Sequence, residues 1–378
     1  MTLAAHHEQL RDAVRRYARE RLAPNAARWD REKVFPREEV AGLGAMGLYG
    51  ISIPVAQGGA GMDCTALALA CEEISAGDGA TCTIIMVTNL VANILQGYGN
   101  EAQKKEFLTP LAYGKLLGAF CLTEPHAGSD AAAITTRAER AGAHYVLNGV
   151  KQFITSGKNA DIAIVFAVTD RAAGRKGISA FVVPTSTPGY VVARIEEKTG
   201  QRASDTAQIV LENCRVPAAN LLAHEGTGYR IALANLESGR INVAAQATGM
   251  AQAATSAALA YAAQRTSMGK TLLGHQAVNF RLADMATGVE ASRQLYLHAA
   301  RLRDAGMPCL KEASMAKLFA SETAEKVCSD AIQIHGGYGY VTDFPVERIW
   351  RDVRVCQIYE GASDIQRLVI GRALEGAA

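Results

Sequence analysis

The chain has 378 residues, of which 49% are hydrophobic and 20% are charged, and its formal net charge is +2. This is the composition of an ordinary globular protein, long enough for two or three domains with separate cores. The nearly balanced charge, without a basic run interleaved with aromatic residues, argues against a nucleic-acid partner and against stable membrane association.

The N-terminus and the cysteines indicate where the protein works. The N-terminal segment MTLAAHHEQLRDAVRRYARE has early acids and lacks the apolar core of a signal peptide. No uninterrupted apolar stretch approaches the ~20 residues that cross a bilayer. Eight cysteines are scattered singly, without CxxC or the Cys/His spacing of a zinc site. We therefore expect no metal and a reducing, cytoplasmic location.

Residues 1–115 predict a helical domain. The first amphipathic helix runs from 6 to about 23, where Pro24 ends it, and further helical patterns cover 37–47, 63–77, 80–98 and 101–113. The segment Gly42–Gly47, GLGAMG, matches the dinucleotide-binding pattern GxGxxG. That motif needs a preceding strand and a following helix, whereas here the order is reversed. We interpret these glycines as a helix end and a turn.

Residues 116–222 predict a β domain. Short β-type runs cover 145–155, 161–169, 177–184, 189–195 and 206–216, and Asn148-Gly149 has the composition of a hairpin turn. Several short strands with turn signals and no intervening helix are typical of a compact barrel or sandwich.

Residues 223–378 predict a second helical domain. A long Ala-rich helix ends near Arg265, two more cover about 275–305 and 309–335, and Gly336-Gly337 stops the last of these. With a final helix near the C-terminus they form a four-helix assembly. The fold class is α+β and multidomain, in the order helical domain, β-barrel domain, helical bundle.

One carboxylate near the C-terminus is a candidate for chemistry. Glu360 lies in CQIYEGASDIQR, residues 356–367, between an aromatic residue and Gly361. Ser363 and Gln366 have the spacing of a capping box, which starts the last helix there and leaves Glu360 on a connection. Burial by the preceding apolar run raises the pKa of such a carboxyl, while the helix N-terminus lowers it. A catalytic base fits this position; the alternative is a solvated loop acid.

Two motifs mark the β domain. FCLTEPHAGSD, residues 120–130, is rich in turn formers and hydroxyls that can aim polar groups at a planar polar ring, and the alternative is an ordinary Pro/Gly loop. In KQFITSG, residues 151–157, Phe153 and Thr155 share one face of a strand and offer an aromatic plane and a hydroxyl. The alternative for Phe153 is a core side chain.

Two further motifs lie at helix ends. In QRTSMGK, residues 264–270, the guanidinium of Arg265 can bind a diphosphate or simply complement the helix dipole. In QIHGGYGY, residues 333–340, paired glycines let a ligand approach the backbone closely, or form a glycine C-cap.

These five motifs, in order and at suitable spacings, resemble those of the acyl-CoA dehydrogenases along essentially the whole chain. The resemblance implies a homotetramer that binds FAD and oxidises an acyl-CoA thioester to the trans-2-enoyl-CoA. It implies a place in fatty acid or branched-chain amino acid catabolism, with an electron-transfer flavoprotein as acceptor. An acyl-CoA oxidase or acyl-carrier-protein dehydrogenase of the same fold is the alternative, and a non-catalytic acyl-CoA-binding protein is a remote one.

The resemblance also implies roles for single residues, with Glu360 as the catalytic base. The implied FAD-binding residues are Phe120, Leu122, Thr123, Ser129, Phe153, Thr155, Arg265, Gln276, Gln333, Gly336, Gly337, Ala362 and Asp364. Within this set, Arg265, Gln276 and the segment 333–337 contact the FAD of a neighbouring subunit. The implied acyl-CoA contacts are Ser129, Glu237, Arg240 and Gly361.

Two departures from the family pattern matter. Ala362 stands where the family usually has Thr, which removes one hydroxyl contact to FAD. Gly239 occupies the position at which some branches carry their base, so Glu360 has no competitor. The LESGR segment, residues 236–240, resembles the short-chain and short-branched-chain branches. We expect a short to medium, or branched, acyl chain.

Overall fold

Helices form the first part of the molecule, as predicted. The computed structural model describes residues 3–376. At the starts of two helices the carboxylates of Asp63 and Asp78 accept hydrogen bonds from the N–H groups of Ala66 and Thr81, at 2.8 Å each, and act as N-caps. The helices of this part are α1 (Ala5–Tyr17), α2 (Ala23–Glu32), α3 (Arg37–Ala45), α4 (Cys64–Gly77), α5 (Gly79–Tyr98), α6 (Glu101–Gln103) and α7 (Thr109–Ala112).

The first helix continues beyond its predicted end. A π-helical segment, Ala18–Leu22, joins α1 to α2, and Pro24 lies in the first turn of α2. The prediction that Pro24 ends the helix is wrong, because a first-turn proline costs a helix little. The interpretation of GLGAMG as a helix end and a turn is confirmed: Gly42 and Gly44 lie in the last part of α3, which ends at Ala45, and Gly47 lies in the following turn with φ +81°.

Helix α5 runs through the interior. Among the helices of residues 3–376 it alone is long and apolar enough to cross a membrane, with 20 residues and a mean hydropathy of 1.4. Polar residues, among them Thr88, Asn89 and Asn93, interrupt this helix, so the expectation that no uninterrupted apolar stretch approaches this length holds. In addition, 83% of its apolar window is buried inside the protein, where it packs against α4. A helix that is apolar on all sides fits such a core position.

A seven-stranded half-barrel sheet forms the middle of the chain. Its strands are β1 (Gly118–Cys121), β2 (Arg137–Ala141), β3 (His144–Thr155), β4 (Ile162–Val168), β5 (Ile178–Pro184), β6 (Tyr190–Ile195) and β7 (Thr206–Pro217). The strand order is β1-β4-β2-β3-β7-β6, and β5 pairs with β4. The β1–β4 pair is parallel, whereas β2–β3, β3–β7, β4–β5 and β6–β7 are antiparallel. The almost fully buried β4 and β5 form the core of this sheet.

The hairpin turn lies elsewhere than predicted. Asn148 and Gly149 lie inside β3, where Gly149 sits at a β-bulge with φ +154°. A Cβ at that position would lie 2.4 Å from Oγ1 of Thr136, so a close approach requires the glycine. The hairpin between β2 and β3 turns instead at Gly142, with φ +63°. Strands β1 and β2 were not predicted.

Helices form the last part of the chain. They are α8 (Gly228–Gln264), α9 (Gln276–Asp304), α10 (Leu310–His335), α11 (Val346–Val353) and α12 (Ser363–Glu375), with a small hairpin of β8 (Thr266–Ser267) and β9 (Lys270–Thr271) after α8. The predicted four-helix assembly is confirmed, since α10 packs against α8, α9 and α12; α11 was not predicted. A Cβ on Gly249 of α8 would lie 2.0 Å from the carbonyl oxygen of Glu72 in α4. This close approach joins the two helical parts.

Candidate active site

Glu360 lies on the connection between α11 and α12, as the sequence predicts. Its φ is +53° and that of Gly361 is +88°, so two consecutive residues adopt the left-handed conformation. The residue is half-buried overall, but its Oε2 atom is fully buried and accepts no hydrogen bond from the described residues. Desolvation raises the pKa of Glu360 to about 7, although the positive charges of Arg240 and Lys317 act to lower it. A desolvated carboxylate that titrates near neutrality suits a general base.

Helix α8 faces this carboxylate with a glycine. A Cβ on Gly239 would lie 2.5 Å from Oε2 of Glu360 and 2.9 Å from its Cδ. The next residue of α8, Arg240, is only 8% exposed and donates from Nη1 to Oγ of Ser314 at 3.2 Å. Gly239 thus leaves the space that the Glu360 carboxyl occupies, beside a buried guanidinium.

The capping box predicted for α12 is not formed. Helix α12 begins at Ser363, which the sequence analysis placed at the N-cap. The N-cap is instead Ala362, one residue earlier, and its side chain makes no capping hydrogen bond. The amide of Gln366 turns back toward the preceding connection. Its Nε2 donates to the carbonyl oxygens of Glu360 (3.1 Å) and Gly361 (2.8 Å). The expected box fails because the Gln366 amide binds carbonyl groups rather than an N–H.

A buried ion pair joins the two motifs of the β domain. Nζ of Lys151 in β3 lies 2.8 Å from Oε1 of Glu124, and both side chains are almost fully buried. Burial alone would raise the pKa of Glu124, but the Lys151 ammonium and hydrogen bonds from Thr135 and Thr136 lower it to about 2. Nζ of Lys151 also donates to the carbonyl oxygen of Leu122 at 3.1 Å. Sequence reasoning did not find this pair, because nothing in a sequence shows which distant acid meets a buried lysine.

Phe153 is at the surface and not in the core. Its side chain is 62% exposed, at the β-bulge of β3, with φ +59°. This excludes the core interpretation, and a left-handed aromatic residue is a conformational outlier of the kind that clusters at functional sites. The neighbouring Gln152 donates from its N–H to the carbonyl oxygen of Thr123 at 2.9 Å, which holds the two motifs together. Of the other predicted residues here, Ser129 is exposed, Leu122 is buried, and Phe120, Thr123 and Thr155 are half-buried.

Aromatic rings bring the two helix-end motifs together. His335 stacks on Tyr261, with ring centroids 4.3 Å apart, and Cζ of Arg265 lies 5.7 Å from the ring centroid of Tyr338. Gly336 ends α10 with φ +61°. The predicted residues of this region are all exposed: Arg265, Gln276, Gln333, Gly336 and Gly337. Sequence spacing gave no sign of the aromatic contacts.

Three predicted residues remain: Glu237, Ala362 and Asp364. The carboxylate of Glu237 accepts hydrogen bonds from Nη1 of Arg303 (2.9 Å) and Sγ of Cys309 (3.2 Å). Its neighbour Ser238 lines a cleft of about 520 Å³ between α4, α5, α8 and α9. Ala362 is half-buried and Asp364 is exposed. The predicted residues thus form three groups: the β-domain motifs, the helix-end motifs and Glu360. Within residues 3–376, no hydrogen bond or ion pair connects one of these groups to another.

A separate group of possible metal ligands lies where α1 meets the start of α4. His6, His7 and Asp63 each offer one ligand atom, all within 4.8 Å of one another. However, Nε2 of His7 already bonds Oδ1 of Asp63 at 2.8 Å, and the same carboxylate caps α4. These hydrogen bonds explain the arrangement without an ion.

Sequence profiles of three domains match this chain. The acyl-CoA dehydrogenase N-terminal domain matches residues 4–115, the middle domain residues 119–214, and the C-terminal domain residues 226–375. Together with the fold, they define a flavin-linked oxidoreductase.

Relatives match over the whole chain. An acyl-CoA dehydrogenase of Bacillus subtilis (strain 168) is 48% identical over 377 residues, 100% of both chains. The mitochondrial short-chain specific acyl-CoA dehydrogenase of Rattus norvegicus is 46% identical over 365 residues, 96% of this chain and 89% of that protein. The chain belongs to the acyl-CoA dehydrogenase family. Its activity is that of an acyl-CoA dehydrogenase.

Solved structures agree with this assignment. Butyryl-CoA dehydrogenase from Megasphaera elsdenii has a TM-score of 0.97 at 40% identity, covering 99% of both chains. A chain from the work on the electron transferring flavoprotein of Acidaminococcus fermentans has a TM-score of 0.97 at 43% identity, also covering 99% of both. A glutaryl-CoA dehydrogenase from Mycobacterium smegmatis in complex with FADH2 has a TM-score of 0.94 at 33% identity, covering 99% of this chain and 95% of that one.

Proposed function

We propose that this protein oxidises short acyl-CoA thioesters to trans-2-enoyl-CoA, with Glu360 as the base that removes the α-proton. One observation carries the proposal: the Glu360 carboxyl is desolvated, its Oε2 has no partner among the described residues, and Gly239 leaves room beside it. A structural carboxylate in such a position would have acquired a hydrogen-bond donor, since burying an unpaired charge is costly.

The exposure and backbone conformation of Phe153 support a flavin site. An exposed aromatic ring held in an unfavourable conformation, Phe153, is accounted for when a planar ring covers it. We propose that Phe120, Leu122, Thr123, Ser129 and Thr155 complete this FAD site. FAD, when bound, supplies the acceptor of the β-hydride. Ala362 offers no hydroxyl to the cofactor. Asp364 is exposed in the first turn of α12, where its Oδ1 accepts a hydrogen bond from Nη1 of Arg367 at 3.3 Å, and we propose that it also contacts the cofactor.

The chain's own residues carry the acid–base part of the reaction. The α-hydrogen of a thioester is a very weak acid, so the base must be desolvated and the carbonyl oxygen must be held by positioned donors. Within residues 3–376 no acceptor binds the N–H of Glu360, which leaves it available to the thioester oxygen. Arg240 beside the carboxylate favours its charged form before it accepts the proton. We propose that Ser129, Glu237, Arg240 and Gly361 line the acyl-CoA site.

The remaining exposed residues support an assembly. Arg265, Gln276, Gln333, Gly336 and Gly337 lie on the surface at the helix-end motifs, where each would bind the FAD of a neighbouring subunit in a homotetramer. We propose an electron-transfer flavoprotein as acceptor, by analogy with the similar chain from the Acidaminococcus work. Eight free cysteines support a reducing, cytoplasmic location.

Flavin bleaching tests the proposal. The purified protein is mixed without oxygen with butyryl-, isobutyryl-, octanoyl- or palmitoyl-CoA, and the loss of flavin absorbance is followed. We expect butyryl-CoA to reduce the flavin at least about tenfold faster than palmitoyl-CoA, since each methylene changes binding by about 1–3 kcal/mol. Fastest reduction by palmitoyl-CoA contradicts the chain length, and no reduction by any thioester contradicts the activity. Rapid reoxidation by air would favour an oxidase.

A further inference from the structure

Lys317 of α10 is buried beside the proposed base. Its side chain is fully buried, and Nζ donates to the carbonyl oxygen of Gly361 at 2.7 Å, its one hydrogen bond within residues 3–376. Desolvation lowers the pKa of Lys317 to about 8. Burying an ammonium is costly, and an apolar side chain of similar length would fill the same space in a helical bundle without that cost. Packing alone therefore does not explain a lysine here.

Gln366 holds the same turn from the other side. It is fully buried in α12, and its Nε2 donates to the carbonyl oxygens of both Glu360 and Gly361. Two buried donors thus converge on two consecutive carbonyl groups. Glu360 and Gly361 both have positive φ, a conformation that is unfavourable for glutamate and persists only where the surrounding structure enforces it.

The residue before the base is anchored as well. The hydroxyl of Tyr359 donates to Oε1 of Gln246 in α8. Nε2 of Gln246 in turn donates to Oγ1 of Thr83 in α5 at 2.7 Å. The connection is therefore held by α8, α10 and α12 together, while the carboxylate Oε2 and the N–H of Glu360 are left without partners in the described chain.

Building on the proposed function, we propose that Lys317 and Gln366 are positioning residues. They clamp the Glu360–Gly361 turn so that the carboxylate and the N–H of Glu360 are presented to the thioester, and the Lys317 ammonium also stabilises the charged form of the base. Gln366 contributes to the geometry alone, because it has no charge.

The charged groups around this turn determine how the Lys317→Met substitution changes the pKa of Glu360. Glu360 faces Arg240 of α8 and Lys317 of α10. Lys317 faces Glu360, Arg240, Glu322 and Cys356. Burial raises the pKa of the Cys356 thiol to about 12, so this neighbour stays neutral. Removing the Lys317 charge leaves Arg240 as the remaining cation beside Glu360, and the Glu360 pKa must rise.

The test compares Lys317→Met, Gln366→Leu and the control Lys326→Met in the FAD-loaded protein. Lys326 is on the same helix but exposed and paired with Asp330. For Lys317→Met we expect flavin reduction by butyryl-CoA to slow about 10–100-fold at pH 7, with KM changed less than about threefold. The midpoint of its pH–rate profile rises by about one unit. Gln366→Leu slows reduction with an unchanged midpoint, and Lys326→Met matches the unsubstituted protein.

A second readout does not depend on turnover. Infrared titration follows the carboxyl band that disappears in Glu360→Gln, and its midpoint moves upward in Lys317→Met. Thermal stability at pH 7 stays equal or rises in Lys317→Met, because a buried charge is removed, whereas a purely structural lysine would lower it. Unchanged rate and unchanged carboxyl midpoint in a folded Lys317→Met overturn this proposal. Failure of the unsubstituted protein to be reduced by any acyl-CoA overturns the proposed function instead, and the infrared result still stands.

Discussion

Gly239 of α8 and Glu360 occupy adjoining space, so closely that a Cβ on the glycine would lie 2.5 Å from Oε2 of the carboxylate. The small residue on the long helix therefore limits where the carboxyl of Glu360, the proposed base, can lie. Because Gly239 is buried and helical, its role is to leave space and not to supply backbone freedom.

Replacement of Gly239 by alanine is expected to displace the base. The added methyl forces the Glu360 carboxyl to move, and a misplacement of about 1 Å costs on the order of 10²-fold in rate. Stopped-flow flavin reduction by butyryl-CoA measures this. Gly371→Ala in α12 is the matched control, because a Cβ there meets nothing within 4 Å. If flavin reduction is as fast in Gly239→Ala as in Gly371→Ala, the position of the Glu360 carboxyl does not depend on the space beside Gly239.

The rate of flavin reduction is expected to rise with pH. The base must be ionised to take a proton, and the pKa of Glu360 is raised to about 7 by burial. Below that midpoint the rate should fall about tenfold per pH unit, and above it the rate should level off. The measurement is kcat/KM for butyryl-CoA from about pH 5.5 to 8.5. A flat profile across this window contradicts the assignment of a shifted carboxyl.

Glu360→Gln is expected to stabilise the fold at alkaline pH. The folded-state pKa of Glu360, about 7, lies above the ordinary value of 4.5, so the folded state binds the proton more tightly. Stability of the unsubstituted protein therefore falls as pH rises from 4.5 to about 7. Glutamine stays neutral, so the variant should gain about 1–3 kcal/mol at pH 8 and nothing near pH 4. Denaturant unfolding at both pH values checks this, and equal stability at pH 8 contradicts it.

The buried ion pair of the β domain predicts a large stability loss. Lys151→Met removes the partner of Glu124 and leaves an uncompensated buried charge, which costs about 3–5 kcal/mol. The exposed pair of Arg137 and Glu139 supplies the control: Arg137→Met should change stability by less than about 0.5 kcal/mol. Thermal unfolding compares the two variants. Similar melting temperatures would show that the Lys151–Glu124 pair does not stabilise the β domain more than the exposed pair does.

Phe153→Ala separates cofactor binding from folding. Because the ring is 62% exposed, its loss should leave the melting temperature of the FAD-free protein nearly unchanged. The affinity for FAD should fall about two- to tenfold, since an aromatic contact with a planar ring contributes about 0.5–1.5 kcal/mol. Fluorescence titration with FAD measures the Kd. Unchanged affinity would remove Phe153 from the flavin site.

Local patterns predicted the elements of this fold well. The helices of residues 37–47 and 63–77 and the strands near 161–169 and 177–184 follow from hydrophobic periodicity, which depends only on near neighbours. The predictions were wrong where tertiary contacts, and not near neighbours in the sequence, determine the local structure. Asn148-Gly149 has the sequence of a turn, but Gly149 lies at a β-bulge where Thr136 leaves no room for a Cβ. Pro24 was expected to end a helix, but the helix continues into it through a π-helical segment.

The candidate site was predictable only in part. The place of Glu360 on the connection before α12 follows from a local pattern, an acid between an aromatic residue and a glycine at a helix start. Its role as the base was implied by the family resemblance and stays a prediction. Lys151 and Lys317 were not found, because a buried lysine looks in sequence like any surface lysine of a strand or helix. Their partners, Glu124 and the Gly361 carbonyl, are 27 and 44 residues away in the chain.

Flavin reduction of Glu360→Gln by butyryl-CoA tests the central claim most directly. The variant should purify yellow and folded, bind the thioester, and show no bleaching on the timescale of the unsubstituted protein at pH 8. Bleaching at the unsubstituted rate would show that another group removes the α-proton.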